Sequence, residues 1–120
     1  MAYRSLLEAR VSEQLTKANI PFLYEASKYD YILTSNYTPD FFLPNGIILE
    51  VKGFFKPSDR RKMLAVKKAH PELDIRFVFQ RDNKITRTSK TSYTDWATKY
   101  GFPCCVFPNI PSSWFDDNPT

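Results

Sequence analysis

The chain of 120 residues and 14.0 kDa is one domain's worth of sequence, long enough for a single buried core and too short for a second independent domain. Hydrophobic residues at 42%, charged residues at 25% and a mean hydropathy of -0.43 are ordinary globular values, and with no apolar run near 18 residues they exclude a membrane span. The net charge of +4 is unevenly placed: residues 52–90 hold twelve of the seventeen Lys and Arg against four acids, a local +8, while each flank is about -2. Such asymmetry is the electrostatic footprint of a polyanion's partner, most often a nucleic acid's, against the plainer reading of a solvated basic face.

The opening MAYRSLLEAR lacks the apolar run and cleavage site of a signal peptide. The two cysteines, Cys104 and Cys105, are adjacent, which suits neither an ordinary disulfide nor, with His70 as the single histidine, a zinc site. The expectation is a soluble protein of a reducing cytoplasm, with no membrane partner and no small-molecule cofactor.

In chain order, Ser5-Leu6-Leu7-Glu8 reads as a capping box, and the stripe Leu7, Val11, Leu15, Ala18 predicts a helix from about Leu6 to Ala18. Asn19 and Pro21 end it, and the aromatic run over residues 21–33 reads as one long strand or two broken ones. Thr34-Ser35-Asn36 interrupts the pattern. Two extended runs follow, Tyr37 to Leu43 and Ile47 to Lys52, joined by the turn signal Pro44-Asn45-Gly46. Ser58 is expected to cap a basic second helix, Asp59 to about His70, stopped by Pro71. Ile75 to Phe79 is a strand, Arg81 to Lys90 a basic loop, and Ser92-x-x-Asp95 opens a third helix ending before Gly101. Cys104 to Phe107 adds a last strand, with Trp114 docking the tail. The order predicts a single mixed α/β domain over residues 1–120 without internal repeats.

The segment that carries chemistry is Thr38-Pro39-Asp40 and, after nine intervening residues, Glu50-Val51-Lys52. Side chains alternate along a strand, so Glu50 and Lys52 share a face with Ile48 while Ile47, Leu49 and Val51 take the other. If Pro44-Asn45-Gly46 is a three-residue loop with Gly46 in the left-handed conformation, Leu43 faces Ile47 and Asp40 lies opposite Glu50. A two-residue Asn45-Gly46 loop would instead throw Asp40 to the opposite face. Opposed Cβ atoms are roughly 4.5–5.5 Å apart, close enough for two carboxylates to share one cation and too close for both charges to sit comfortably without it. A site of carboxylate oxygens selects Mg²⁺, or Mn²⁺ in its place. A water on such a metal can attack a phosphodiester, and Lys52 is placed to orient or deprotonate that water or to stabilise the transition state. The hairpin geometry, Pro39 and the basic half weigh for this reading and against an incidental acid–acid–lysine pattern.

Glu8 at N3 reads by itself as a cap residue; at the rim of the apolar stripe it is alternatively a third acid of the metal site. His70 reads as a helix C-terminal residue. Arg60, Arg61, Lys62, Lys67 and Lys68 of the second helix are expected to be exposed and, as function, to contact phosphates.

These residues resemble a known family. The runs Tyr37 to Ile47, Glu50-x-Lys52-Gly53, Asp59-Arg60-x-Lys62 and His70 to Arg76 are closely similar to the endonuclease I of short-tailed coliphages, Holliday junction resolvases of the PD-(D/E)xK nuclease superfamily. The similarity extends from Ser5-x-Leu7-Glu8 through Ser92-Tyr93 to Pro111-x-x-Trp114. It implies a restriction-endonuclease-like mixed sheet flanked by helices, and Asp40, Glu50 and Lys52 as catalytic acid, acid and lysine. It also makes Glu8 a catalytic and metal-binding acid, which reverses the capping preference. The family's intertwined homodimer further implies that residues 1–33 swap between chains through a bridge at 34–37, leaving 38–120 as the catalytic body and basic DNA-binding half. Branched DNA is then the substrate, read by shape, since phosphate contacts position without specifying bases. Two departures stand out: the basic extensions usual at both ends of the family are missing here, and Val51 replaces a polar residue. The rival readings are a nicking or sequence-selective nuclease of the same superfamily and a non-catalytic nucleic-acid-binding module.

Overall fold

The computed structural model describes residues 3–26, 28–31 and 35–116. Along the chain come α1 (Leu6–Lys17), β1 (Leu23–Tyr24), β2 (Tyr29–Tyr31), β3 (Ser35–Tyr37), β4 (Phe41–Phe42), β5 (Ile47–Lys52), α2 (Pro57–Ala69), β6 (Asp74–Phe79), α3 (Tyr93–Lys99) and β7 (Cys104–Val106), closed by a 3-10 turn, Ser112–Phe115. One sheet has the order β1-β4-β5-β6-β7, and β2 with β3 forms a separate ribbon. The pairs β1–β4 and β4–β5 are antiparallel, whereas β5–β6 and β6–β7 are parallel, so the sheet is mixed and the fold class is α/β as expected.

The middle strand β5 is buried almost throughout because both its faces are covered. Ile47, Leu49 and Val51 pack with Leu7, Val11 and Leu15 of α1, together with Phe41, Leu43, Val78 and Trp114. Ile48 turns to the other face, among Met63 and Val66 of α2, Tyr93, Trp96 and Ala97 of α3, and Phe55, Phe77, Phe79 and Phe102. The strict alternation carries Glu50 and Lys52 to the α2 side.

The turn between β4 and β5 sets the register. Leu43 N–H donates to Ile47 O at 2.9 Å and Gly46 N–H to Leu43 O at 3.0 Å, with Gly46 at φ 89°. This is the three-residue loop, in which glycine takes the left-handed conformation without steric cost. Phe41 pairs with Leu49 and Phe42 with Ile48, so Asp40 falls one step beyond, opposite Glu50. The Asn45 amide donates to Trp114 O at 2.8 Å and Asp116 O at 2.7 Å, tying the docked tail to this turn.

Of the two readings of the 21–33 run the broken one holds, as two strands in different sheets separated at Glu25 with φ 50°; residues 27, 32 and 33 lie outside the described residues. Two local expectations are corrected. Ser35 and Asn36 do not interrupt the extended pattern but pair with Tyr31 and Asp30, since a ribbon partner satisfies their backbone whatever their polarity; Thr34 lies outside the described residues. Helix α2 begins at Pro57 rather than after a Ser58 cap: proline at the first position needs no N–H, and Asp59 accepts the Lys56 N–H at 3.1 Å. The α3 capping box is as read, with Ser92 Oγ accepting from Asp95 N–H at 3.2 Å and Asp95 from Ser92 N–H at 3.1 Å, whereas at α1 only the Ser5 half forms, Ser5 Oγ accepting from Glu8 N–H at 3.0 Å while the Glu8 carboxylate bonds elsewhere. Among the described residues no helix is long and apolar enough to cross a membrane.

Candidate active site

Asp40 sits where the β4–β5 hairpin, α1 and the segment after β1 converge. It is 1% exposed, and its Oδ2 accepts the Val51 N–H at 2.8 Å. The Asp40 carboxylate is thus tied to the main chain of β5 next to Glu50, across the register that the turn dictates. Burial, and next the charge of Glu50, push the Asp40 carboxyl up to about 8; the Val51 N–H and the Lys52 charge oppose this. Glu50, 3% exposed, is also raised, by burial, against the pull of Lys52 and the Tyr37 hydroxyl. That hydroxyl, on a fully buried ring, donates to Glu50 Oε2 at 2.7 Å.

Lys52 completes the set on the strand's last residue. Its Nζ lies 3.9 Å from Glu50 Oε1 and 3.8 Å from Asp59 Oδ1 at the start of α2.

Glu8 reaches the site from α1. Only its backbone takes part in the Ser5 cap; its Oε1 accepts from the Tyr24 hydroxyl and from Arg4 N–H, the latter at 3.3 Å, and the residue is 5% exposed. Partial burial and then the Glu8 bond push the Tyr24 hydroxyl up to about 12. Glu25 arrives beside it on the left-handed turn after β1. Among the described residues one carboxylate oxygen from each of Glu8, Glu25 and Asp40 lies within 4.8 Å of the other two, a spacing that one divalent cation can bridge. Arg4 threads this group: Nη2 is 2.7 Å from Asp40 Oδ1 and 3.7 Å from Glu8 Oε2, and Nε pairs with Glu25 Oε1. Burial alone would lower Arg4, but the Tyr24 hydroxyl and the three carboxylates outweigh it and hold the guanidinium charged.

The structure thus brings Asp40 beside Glu50 and Lys52 and, on its other side, beside Glu8, where Glu25 rather than Glu50 completes the three acids with oxygens within 4.8 Å of one another. It adds Glu25, Arg4 and Tyr24, which reasoning from the sequence missed because no short spacing links them to the hairpin, and Tyr37 and Asp59, which lie in the quoted runs but were given no role there. The five basic residues of α2 divide. Arg61 and Lys68 are exposed, and Lys62 lies 5.9 Å from the Tyr37 ring centre, beside Glu50. Arg60 donates to Phe55 O at 2.8 Å, and Lys67 donates to Gly101 O at 3.1 Å while covering the Phe102 ring. His70 caps the helix C-terminus, as read.

A buried pair of acids with a lysine on the same strand, further carboxylates delivered from flanking segments and a basic helix alongside define a nuclease-type hydrolase. More narrowly, the chain belongs to the phage endonuclease I family, whose profile matches residues 1–119. It is 46% identical over 104 residues to the endodeoxyribonuclease 1 of Enterobacteria phage T3, covering 83% of this chain and 68% of that protein. It is 43% identical over 120 residues to the endonuclease I of Escherichia phage T7, covering 97% of this chain and 80% of the relative. The chain is an enzyme, an endonuclease.

Proposed function

We propose that this endonuclease is a Mg²⁺-dependent, structure-selective enzyme that hydrolyses phosphodiesters in four-way and other branched DNA, with Mn²⁺ as a workable substitute. The observation that carries the reading is Asp40 held between Glu50 with Lys52 on one side and Glu8 with Glu25 on the other. DNA as substrate is supported by the name of the T3 relative, an endodeoxyribonuclease, and by the +8 charge of residues 52–90. Asp40, Glu50 and Glu8 would hold the metal, with Glu25 as a further candidate ligand. When bound, the metal supplies an acidified water and neutralises charge on the phosphate oxygens.

The chain's own groups do the rest. Asp40, raised to about 8 without metal, must give up its proton to act as a ligand. Tyr37 orients Glu50 by donating to one carboxylate oxygen, leaving the other turned to Lys52. The Lys52 ammonium donates to a phosphate oxygen. Arg61, Lys62 and Lys68 engage the DNA backbone, whereas Arg60 and Lys67 serve it only by giving up their bonds to main-chain carbonyls. We further infer an intertwined homodimer acting in the host cytoplasm. The segment before residue 34 delivers both α1 with Glu8 and the edge strand β1, so its contacts can be made equally by a partner's copy, with 34–37 as bridge and 38–120 as body.

The test is incubation with a four-way junction and a sequence-matched duplex, each with Mg²⁺ and with EDTA. Cleavage of the junction alone, in Mg²⁺ alone, is expected. Equal cutting of both substrates would indicate a nicking or sequence-selective nuclease, and chelator-insensitive binding without cutting a non-catalytic module. Asp40→Asn and Glu50→Gln should each lower cleavage by about three orders of magnitude, the several kcal/mol of a lost metal-site interaction, and leave junction binding intact.

A further inference from the structure

Beside the acid–lysine set, beyond the end of β5, lies a second feature. Gly53 and Phe54 follow Lys52 directly, and the two phenylalanines there diverge. Phe55 is fully buried among Phe77, Phe79, Tyr93 and Trp96, with ring centres 5.0–5.7 Å away. Its main chain is pinned as well: its N–H points to the Tyr93 hydroxyl at 3.4 Å and its carbonyl accepts from Arg60 at 2.8 Å. Fixing Phe55 inward leaves Phe54 outward, 70% exposed, a large ring in solvent two residues from Lys52.

Phe54 borders a cavity of about 300 Å³ whose other walls are Gly53, Gln80, Arg81, Asn83 and Tyr93. The cavity is rigidly joined to the catalytic strand, since Gln80 N–H donates to Lys52 O at 2.9 Å. A Cβ on residue 53 would stand 3.2 Å from Gln80 Oε1, so the glycine keeps the floor open. The lining combines an unpartnered aromatic face, two side-chain amides that each offer donors and an acceptor, and a guanidinium. The adjoining loop adds Lys84, Arg87 and Lys90, and its single acid, Asp82, is engaged by Thr94 N–H at 2.9 Å and Thr94 Oγ1 at 2.7 Å. Positive charge with a free ring and amides complements an exposed nucleobase and its phosphate, not an apolar or cationic partner.

We propose that this cavity receives one nucleobase extruded from the DNA at the branch, stacked on Phe54, with Gln80 and Asn83 at its edge and Arg81 on the neighbouring phosphate. In a continuous duplex every base is stacked on both neighbours, whereas a base at a branch point loses a stacking neighbour where the strands change direction and so costs less to extrude. A stacking seat two residues from Lys52 therefore converts branch structure into placement of the scissile strand without reading sequence. The proposal rests on the branched-DNA reading given above and names how that reading is achieved.

The experiment measures binding of the full chain, in EDTA so that nothing is cut, to a four-way junction and to a matched duplex. Phe54→Ala should weaken junction binding roughly 5- to 100-fold, the range of one base–aromatic stack, and change duplex binding less than about twofold, with Phe54→Trp restoring the junction affinity. Abasic substitutions scanned through the branch-point nucleotides should find one that weakens the wild type by a similar factor and leaves the Phe54→Ala variant unaffected. Because Phe54 is exposed, its variants should melt with the wild type. Equal losses on junction and duplex, or an abasic penalty that adds in full to that of Phe54→Ala, would overturn the cavity's assignment. Wild-type protein that prefers the junction, with that preference intact in Phe54→Ala, overturns the cavity alone; wild-type protein with no preference overturns the branched-DNA reading and the cavity's ligand with it.

Discussion

Arg4 donates through Nη2 to Asp40 Oδ1 at 2.7 Å, placing a guanidinium of the chain among the carboxylates of Asp40, Glu8 and Glu25. One oxygen from each of these three acids lies within 4.8 Å of the others, so their ionised forms repel unless a cation stands between them, and here the protein supplies its own. An arginine and a divalent ion compete for that field. Arg4 is 62% exposed in its side chain, so it can swing clear toward solvent or a phosphate when the ion arrives.

Replacing Arg4 by Gln removes the competitor. Mn²⁺ should then bind the DNA-free protein more tightly, by about fivefold, the factor for roughly 1 kcal/mol from an ion pair with one exposed partner. Calorimetric titration reads this directly; an affinity equal to or weaker than wild type would show that Arg4 does not oppose the metal.

Asp40 also makes the metal-free protein sensitive to pH. Its carboxyl is raised from 3.8 to about 8, first by burial and then by Glu50, so across that interval the folded chain keeps a proton that the unfolded chain has released. Stability from this group is undiminished below the lower value and declines as pH rises through the interval. In EDTA, the melting temperature of Asp40→Asn should gain on that of wild type between about pH 5 and pH 8, and Mg²⁺ should narrow the gap by taking the proton's place. A difference between the two proteins that stays constant over that range would defeat this account.

How far the sequence disclosed the site follows from the range of the interactions involved. Gly46 and the alternation of β5 are local, so the opposition of Asp40 and Glu50 could be worked out from the loop length alone. Glu8 was ambiguous because a cap and a catalytic acid share one position in a first turn. In the structure the cap bond is made by its backbone N–H, and its carboxylate is turned to Arg4 and Tyr24. Glu25 and Arg4 carry no such local signature; they meet Asp40 because β1 pairs with β4 and α1 packs over β5. Nor could charge counting foresee that Arg60 and Lys67 spend their donors on main-chain carbonyls.

Tyr37 is a positioning residue whose effect is separable from folding. Its hydroxyl is the one side-chain donor bonded to Glu50 Oε2 among the described residues, and removing it leaves a buried carboxylate short of a partner. Tyr37→Phe should cost about 1–3 kcal/mol of stability. It should also lift Glu50 further, because a hydrogen bond that favours the charged form is gone. The alkaline shift this produces in the pH–rate profile of junction cleavage is the discriminating readout: a lower rate at every pH with an unmoved profile would mean the hydroxyl serves packing alone.

Exchange of the first helix between chains has a genetic-style test that uses Glu8 and Asp40 together. Glu8→Gln and Asp40→Asn should each be inactive alone. If each site takes Glu8 from one chain and Asp40 from the other, a dimer of one variant with the other concentrates both changes in one site and leaves its second site wholly native. Co-refolding the two inactive proteins in equal amounts should therefore restore about a quarter of the wild-type sites, on heterodimers that nick one strand of a junction and do not cut two. If each chain builds its site from its own Glu8, every site in the mixture carries one lesion and no activity returns, whatever the oligomeric state. Regained nicking thus distinguishes exchange from simple association.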